Sequence, residues 1–245
     1  MIFLKKYKLV CLLLSLILIV NIVNLCINIK TASNSHNCET LNNIKIGVTK
    51  SYVDKLIGTP LTSDKRSLYH YKEKGKIFTA AGYKYSETPV LCLYENNTLV
   101  AFAVVVNEKN EYKVTRKFYL EEDKFLKDFT YYDFCEYASE YYASVPISNI
   151  DATYYYEIHR GDESTNNIAS FLASYMYFDD NNILHVGQDS IIETDDPEKM
   201  TDELKEERKK AKPNMYGEIH PDYADNFFFL SDLLTYNDES ILFER

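Results

Sequence analysis

The chain has 245 residues, 46% hydrophobic and 26% charged, enough for one large domain or two small ones with a buried core. That balance excludes a wholly disordered, collagen-like or low-complexity protein. The 27 basic residues face 37 acidic ones, and four lysines fall within residues 1–30, which hold no acid, so the remaining body is too acidic for nucleic acid to be its main partner. Seven glycines, at 47, 58, 75, 82, 161, 187 and 217, nowhere form G-x-G-x-x-G or G-x-x-x-x-G-K-[ST], so neither dinucleotide nor P-loop chemistry is expected.

Lys5, Lys6 and Lys8 precede an apolar stretch from Leu9 to Ile29 that, as a helix, is long enough to cross a hydrocarbon core of roughly 30 Å. The leading lysines and the acidic body behind them predict a single-pass signal-anchor with a cytoplasmic N-terminus and an extracytoplasmic body, the membrane being a partner through residues 9–29. A cleaved signal peptide is the alternative, since the continuously apolar part, Leu9 to Val20, is short; no good cleavage site follows it. Leu25 before Cys26 and Asn37 before Cys38 do not suit a lipobox. Outside this stretch lie Cys38, Cys92 and Cys135, without C-x-x-C spacing, and unpaired, mostly buried thiols are expected.

Residues 31–43 read as a tether, 44–119 as a first α+β domain, 120–190 as a second, Tyr-rich α+β part, and 191–245 as a charged helix with a C-terminal docking segment. Thr49 caps a short helix to Ile57 with Tyr52, Val53, Leu56 and Ile57 on its apolar side, and Gly58 and Pro60 end it. Strands follow over Leu68–Lys72, Lys76–Tyr85, Val90–Glu95 and Leu99–Val106, the last two as a buried hairpin around Asn96-Asn97. Tyr112–Tyr119 reads as an edge strand and Phe125–Ala143 as a helix. Ala152–His159, Ser170–Phe178 and Ile183–Gly187 are the later strands, Asp196 caps a solvated helix over Glu198–Lys212, Gly217 lies in a loop, and Tyr223–Phe243 docks back as a last helix.

Thr49 and Thr130 open helical segments 81 residues apart, and Leu93-Tyr94-Glu95-Asn96-Asn97 is echoed by Tyr177-Phe178-Asp179-Asp180-Asn181-Asn182. Either a degenerate duplication of helix plus hairpin or recurrence in a Tyr- and Asn-rich chain accounts for both.

Leu41, Ile44, Gly47-Val48-Thr49, Val53, Ile57-Gly58 and Pro60 resemble the signature of SmpA/OmlA (BamE-like) domains over residues 41–106. Val48 replaces the family's usual Met, and a large C-terminal part is extra. The resemblance implies a small fold of helices against an antiparallel sheet, with Gly47, Thr49, Val53, Gly58 and Pro60 as its structural motif, and a non-catalytic interaction scaffold of the bacterial cell envelope.

Chemistry-bearing patterns are sparse. The five histidines show no H-x-x-x-H or H-E-x-x-H spacing, so no metal or other cofactor is expected, and Cys135 reads as a packed helical residue. His159-Arg160-Gly161-Asp162-Glu163, a base, a cation and two carboxylates at a strand end, is the best catalytic constellation, and turn chemistry explains it more cheaply. Asp179-Asp180-Asn181-Asn182 lacks the glycine and distal glutamate of a calcium loop. The densest aromatic block supplies the candidate binding residues Tyr131, Tyr132, Tyr141, Tyr142, Tyr154 and Tyr156, suited to a peptide or glycan surface. The expected protein is thus α+β, an N-terminal transmembrane helix followed by a helix and antiparallel-sheet body with a C-terminal helical segment. It would bind another envelope protein or a glycan; an envelope hydrolase using the His159 turn, or an inhibitor-like module, is the alternative.

Overall fold

The computed structural model describes residues 15–25, 38–67, 75–106, 111–115, 122–135, 140–144, 154–160, 168–175, 201–224 and 241–242. The chain divides into two units, Met1–Glu39 and Thr40–Arg245. In the first, the described residues 15–25 are helical. Among the described residues no helix is long and apolar enough to cross a membrane, which corrects the expectation of a transmembrane helix over Leu9–Ile29.

The second unit opens in helical backbone that ends at Leu41, buried there with Ile44, so residues 40–43 are not the tether expected; α1 (Lys50–Ile57) follows, where the Thr49 side chain accepts the Tyr52 N–H and Val53 and Ile57 are buried. Tyr52 is exposed rather than part of the apolar side. Gly58 ends the helix at φ 96°, ψ −175°, in the glycine-only extended region rather than in a left-handed helical cap. Four strands follow: β1 (Thr62–Arg66), β2 (Phe78–Tyr85), β3 (Thr88–Glu95) and β4 (Thr98–Val105). Positive φ at both Ser86-Glu87 and Asn96-Asn97 makes two tight hairpin turns whose twist matches the strands they join. β1 lies ahead of the strand expected at Leu68–Lys72, which falls outside the described residues.

Of the edge strand expected at Tyr112–Tyr119, the described residues hold β5 (Lys113–Val114), paired with β6 (Lys124–Phe125) in a ribbon of its own, and 116–119 lie outside them. Phe125–Ala143 is not one helix. A 3₁₀ turn (Leu126–Asp128), α2 (Tyr131–Phe134) and β7 (Glu140–Ser144) replace it. Thr130 and Asp133 close a capping box that fixes where α2 starts, and the aromatic run after it favours strand. Then come β8 (Tyr154–Arg160), β9 (Ala169–Tyr175), α3 (Asp202–Arg208), β10 (Met215–Ile219) and α4 (Pro221–Ala224). α3 is capped by Thr201, not Asp196, and its Leu204 and Arg208 are buried, so it is not a solvated helix.

Eight strands form a single antiparallel sheet in the order β1-β2-β3-β4-β10-β9-β8-β7. Two four-stranded meanders therefore meet at β4 and β10, where Ala103 pairs with Gly217. A half-turn about that pair carries Val90 to Ser170, Tyr83 to His159 and Thr62 to Glu140 with every register preserved, and it maps β1 onto β7 end to end. The helices obey the same symmetry: Lys50 N–H donates to Asn97 O and Tyr131 N–H to Ala211 O, the carbonyls at matching distances ahead of Ala103 and Gly217. Thr49 and Thr130 thus cap equivalent helices of two structural repeats. The second echo, at 177–182, lies outside the described residues.

One sheet face packs Tyr83, Cys92, Phe102 and Leu172 under Val53, Ile57, Phe134 and Leu204 from the helices. The other face holds Phe78, Ala80, Ala101, Ala103 and Phe171 against Tyr223, Ala224 and Leu242 from the C-terminal segment. Small residues there serve close approach. A Cβ on Gly82 would lie 2.6 Å from Leu242, and one on Gly217 2.0 Å from the Phe171 ring. Gly217 is therefore the middle of a buried central strand and not a loop residue.

Candidate functional site

Along β8, alternate residues face opposite sides, so Tyr155, Glu157 and His159 all point to the helix-covered face. Burying a carboxylate there costs several kcal/mol unless it is paired and hydrogen-bonded. α3 supplies the pair: Arg208, one helical turn beyond Leu204, reaches down with its guanidinium fully buried. Its Nε donates to Glu157 Oε1 at 2.5 Å and its Nη2 to Glu157 Oε2 at 3.0 Å, a two-pronged contact. Tyr155 donates its hydroxyl to Glu157 Oε1 at 2.5 Å, and His159 Nε2 lies 3.1 Å from Oε2. The second use of Arg208 is structural: Nη2 also donates to the Cys135 carbonyl at 2.8 Å, tying the end of α2 to α3.

Aromatic rings and hydroxyls close the cluster. Phe134 meets the His159 ring edge-on at 4.9 Å, Tyr131 meets Tyr155 at 5.2 Å, and the Tyr131 hydroxyl shares a 2.7 Å hydrogen bond with Ser174. The electrostatics follow from competition. Burial pushes the Glu157 carboxyl up, but the nearby His159 and the charge and bonds of Arg208 outweigh it and hold it below its ordinary value. Burial pushes His159 down, yet the neighbouring Cys135 and the Glu157 carboxylate, 3.1 Å away, leave it raised. Burial drives Tyr131 and Tyr155 well above the usual phenol range.

No family model, curated protein or solved structure matches the chain.

The candidate tyrosines are dispersed. Tyr131 is buried in the cluster just described, while Tyr156 is buried on the opposite sheet face. Tyr132 is exposed, with Lys209 Nζ 5.4 Å from its ring centre. Tyr141 and Tyr142 sit in β7 at positions paired with Glu157 and Tyr156, and Tyr154 begins β8; their side chains lie outside the described residues. Of the motif residues, Gly47 has φ 91°, Thr49 caps α1, Val53 is buried within it, Gly58 ends it and Pro60 follows. Of the catalytic constellation, His159 lies within β8 at 0% exposure, 3.1 Å from Glu157; the Arg160 side chain and Gly161, Asp162 and Glu163 lie outside the described residues. Among the described residues no group of three or more His, Cys, Asp or Glu side chains could hold a metal ion.

Sequence reasoning missed Glu157 and Arg208. The signal available was a lone acid in the run Tyr154-Tyr155-Tyr156-Glu157-Ile158, which in a buried strand demands a cation from elsewhere.

Proposed function

We propose that the chain is a non-catalytic binding scaffold of the bacterial cell envelope, its sheet built from two BamE-like repeats. The observation that carries this reading is the burial of Glu157: Oε1 accepts from Tyr155 and Arg208, Oε2 accepts from Arg208, and at 0% exposure the carboxylate is out of reach of a substrate. The glycine, threonine and valine positions around α1, followed by a four-stranded meander, support the family resemblance. The inhibitor-like alternative requires an open sheet face, and Tyr223 and Leu242 sit on the face opposite the helices.

Site-specific photocrosslinkers at the exposed positions Tyr52, Lys65 and Tyr132 test the proposal in the cells that make the protein. The expected result is one discrete protein or glycan adduct from at least one position. A turnover of envelope material that Glu157→Gln abolishes without unfolding the chain would replace this reading with the hydrolase.

A further inference from the structure

We propose that the helix side of the first repeat binds an acidic glycan, with Lys45, Lys55 and Lys65 receiving its charges and Tyr52 stacking on a sugar ring. The inference rests on the binding-scaffold reading and names the class of its partner. Charge is divided unevenly along the chain: residues 40–95 hold nine lysines and arginines against five acids, whereas 96–245 hold 14 against 31. Within 40–95 every described acid is already in an ion pair, Asp54 with Lys50, Asp64 with Arg66, Glu87 with Lys84 and Glu95 with Lys76. Three lysines are left over. Lys45, Lys55 and Lys65 are exposed and have no ion-pair partner among the described residues.

The leftover lysines share one side of the sheet. Lys65 stands opposite Thr79 and Ser63 opposite Ala81, and Ala81 belongs to the helix-side core, so Lys65 and Ser63 lie on the face that α1 covers. Asp64 and Arg66 point to the opposite face, where Phe78 and Ala80 pack, and Lys76 bonds there to Tyr223. On α1, Lys55 follows Tyr52 by three residues, so the two share an outer face away from the buried Val53 and Ile57. Lys45 sits in the lead-in to α1, between Ile44 and Ile46, which pack into the same helix-side core.

The composition of this surface selects the partner. Lysine is depleted at protein–protein interfaces, and its flexible ammonium suits charges spaced along a mobile chain, where the rigid fork of arginine would suit one fixed carboxylate. Between Lys50 and Lys65 in sequence come the exposed hydroxyls of Ser51, Thr59 and Ser63, hydrogen-bond partners for sugar hydroxyls. Tyr52, 44% exposed, offers a flat apolar ring to the C–H face of a sugar. The acid-rich remainder of the chain repels a polyanion, which confines such a polymer to this side.

The test footprints the lysines of the full-length protein by acetylation, read by mass spectrometry, with and without polygalacturonate as the acidic glycan. The glycan should slow modification of Lys45, Lys55 and Lys65 by about threefold or more at low ionic strength, and the protection should vanish in about 0.5 M salt, where screening is short-ranged. Lys76 and Lys212 should keep their rates, and neutral dextran should protect nothing. Tyr52→Ala, a change at an exposed position, should weaken the protection by polygalacturonate several-fold and leave any protection by polyglutamate unchanged. Polyglutamate protecting as well as polygalacturonate, with neither moved by Tyr52→Ala, would assign the surface to an acidic protein segment and overturn the proposal. Protection by anionic lipid vesicles alone would overturn it in favour of lipid. No protection at the three lysines, or equal protection at Lys76 and Lys212, overturns it as well, while a protein adduct from the photocrosslinker at Tyr132 would still uphold the scaffold reading.

Discussion

Ala81 and Glu157 occupy equivalent places in the two halves of the sheet, as do Tyr83 and His159, and Val90 and Ser170. The backbone frame is shared, yet one half is filled with apolar groups and tyrosines and the other with a charge-balanced cluster. The cause lies in the covering helices. α1 has eight residues and delivers Val53 and Ile57 to its half, while α2 has four and leaves part of its half for α3 to cover. α3 brings Arg208 with it, and a buried guanidinium requires a carboxylate where the first repeat has alanine. A repeated fold therefore constrains hydrogen-bond register tightly and side-chain chemistry loosely. Each half solves its own burial problem.

The largest expected effect comes from the seam between the halves. In Gly217→Val the added Cβ would lie 2.0 Å from Phe171 and 2.1 Å from the Phe102 carbonyl oxygen, neither of which can move away cheaply. The variant should lose more than about 4 kcal/mol in urea denaturation; a normal midpoint would mean that β9 and β10 are not stacked this closely. Next is Arg208→Met, which strands Glu157 as an unpaired buried charge and should cost about 3–5 kcal/mol by the same measurement. Adding Glu157→Gln should recover a large part of that loss, and equal stability of the single and double variants would refute the pairing.

The cluster also predicts a pH signature that the first repeat lacks. Glu157 has a lowered pKa in the folded state, so its stabilisation is present above the ordinary carboxylate value of 4.5 and is lost as pH falls through the folded value. His159 is raised, so its contribution is complete below the ordinary 6.5 and is lost as pH rises through the folded value. Amide exchange, corrected for its intrinsic pH dependence, should show β8 and β9 losing protection relative to β2 and β3 both above and below the window between those values. Parallel changes in all four strands would contradict it. The smallest effect belongs to Gly58→Val. The added Cβ meets open space, so only the unfavourable φ of 96° counts, about 1–2 kcal/mol by thermal melting. A loss as large as that of Gly217→Val would overturn this ranking.

What could be read from the chain alone was local. The Thr49 cap, the Gly58 stop, the Asn96-Asn97 hairpin and the paired positions of Thr49 and Thr130 each carry their signal within a few residues. β10 could not be read that way, because a glycine inside Met215–Ile219 resembles a turn unless the Phe171 ring lying over it is known. Arg208 was hidden differently: acids early and bases late in a helix satisfy its dipole, which conceals a basic residue with another task. The helix expected over Phe125–Ala143 failed because tyrosines at helical spacing also suit a strand, and only pairing with β8 decides between them.

The position of β10 also sets an order of events during synthesis. β4 is complete at Val105, but the strand that covers its free edge begins only at Met215. At about 5–20 residues per second a ribosome needs roughly 5 to 20 s to cross that interval. Throughout it, the nascent first repeat displays an unpaired apolar edge through Ala101, Ala103 and Val105, open to any extended segment or to another copy emerging nearby. A ribosome that stops before Met215 would release two half-sheets with nothing to join them, and such fragments would aggregate through the very edge that the finished protein conceals at its centre.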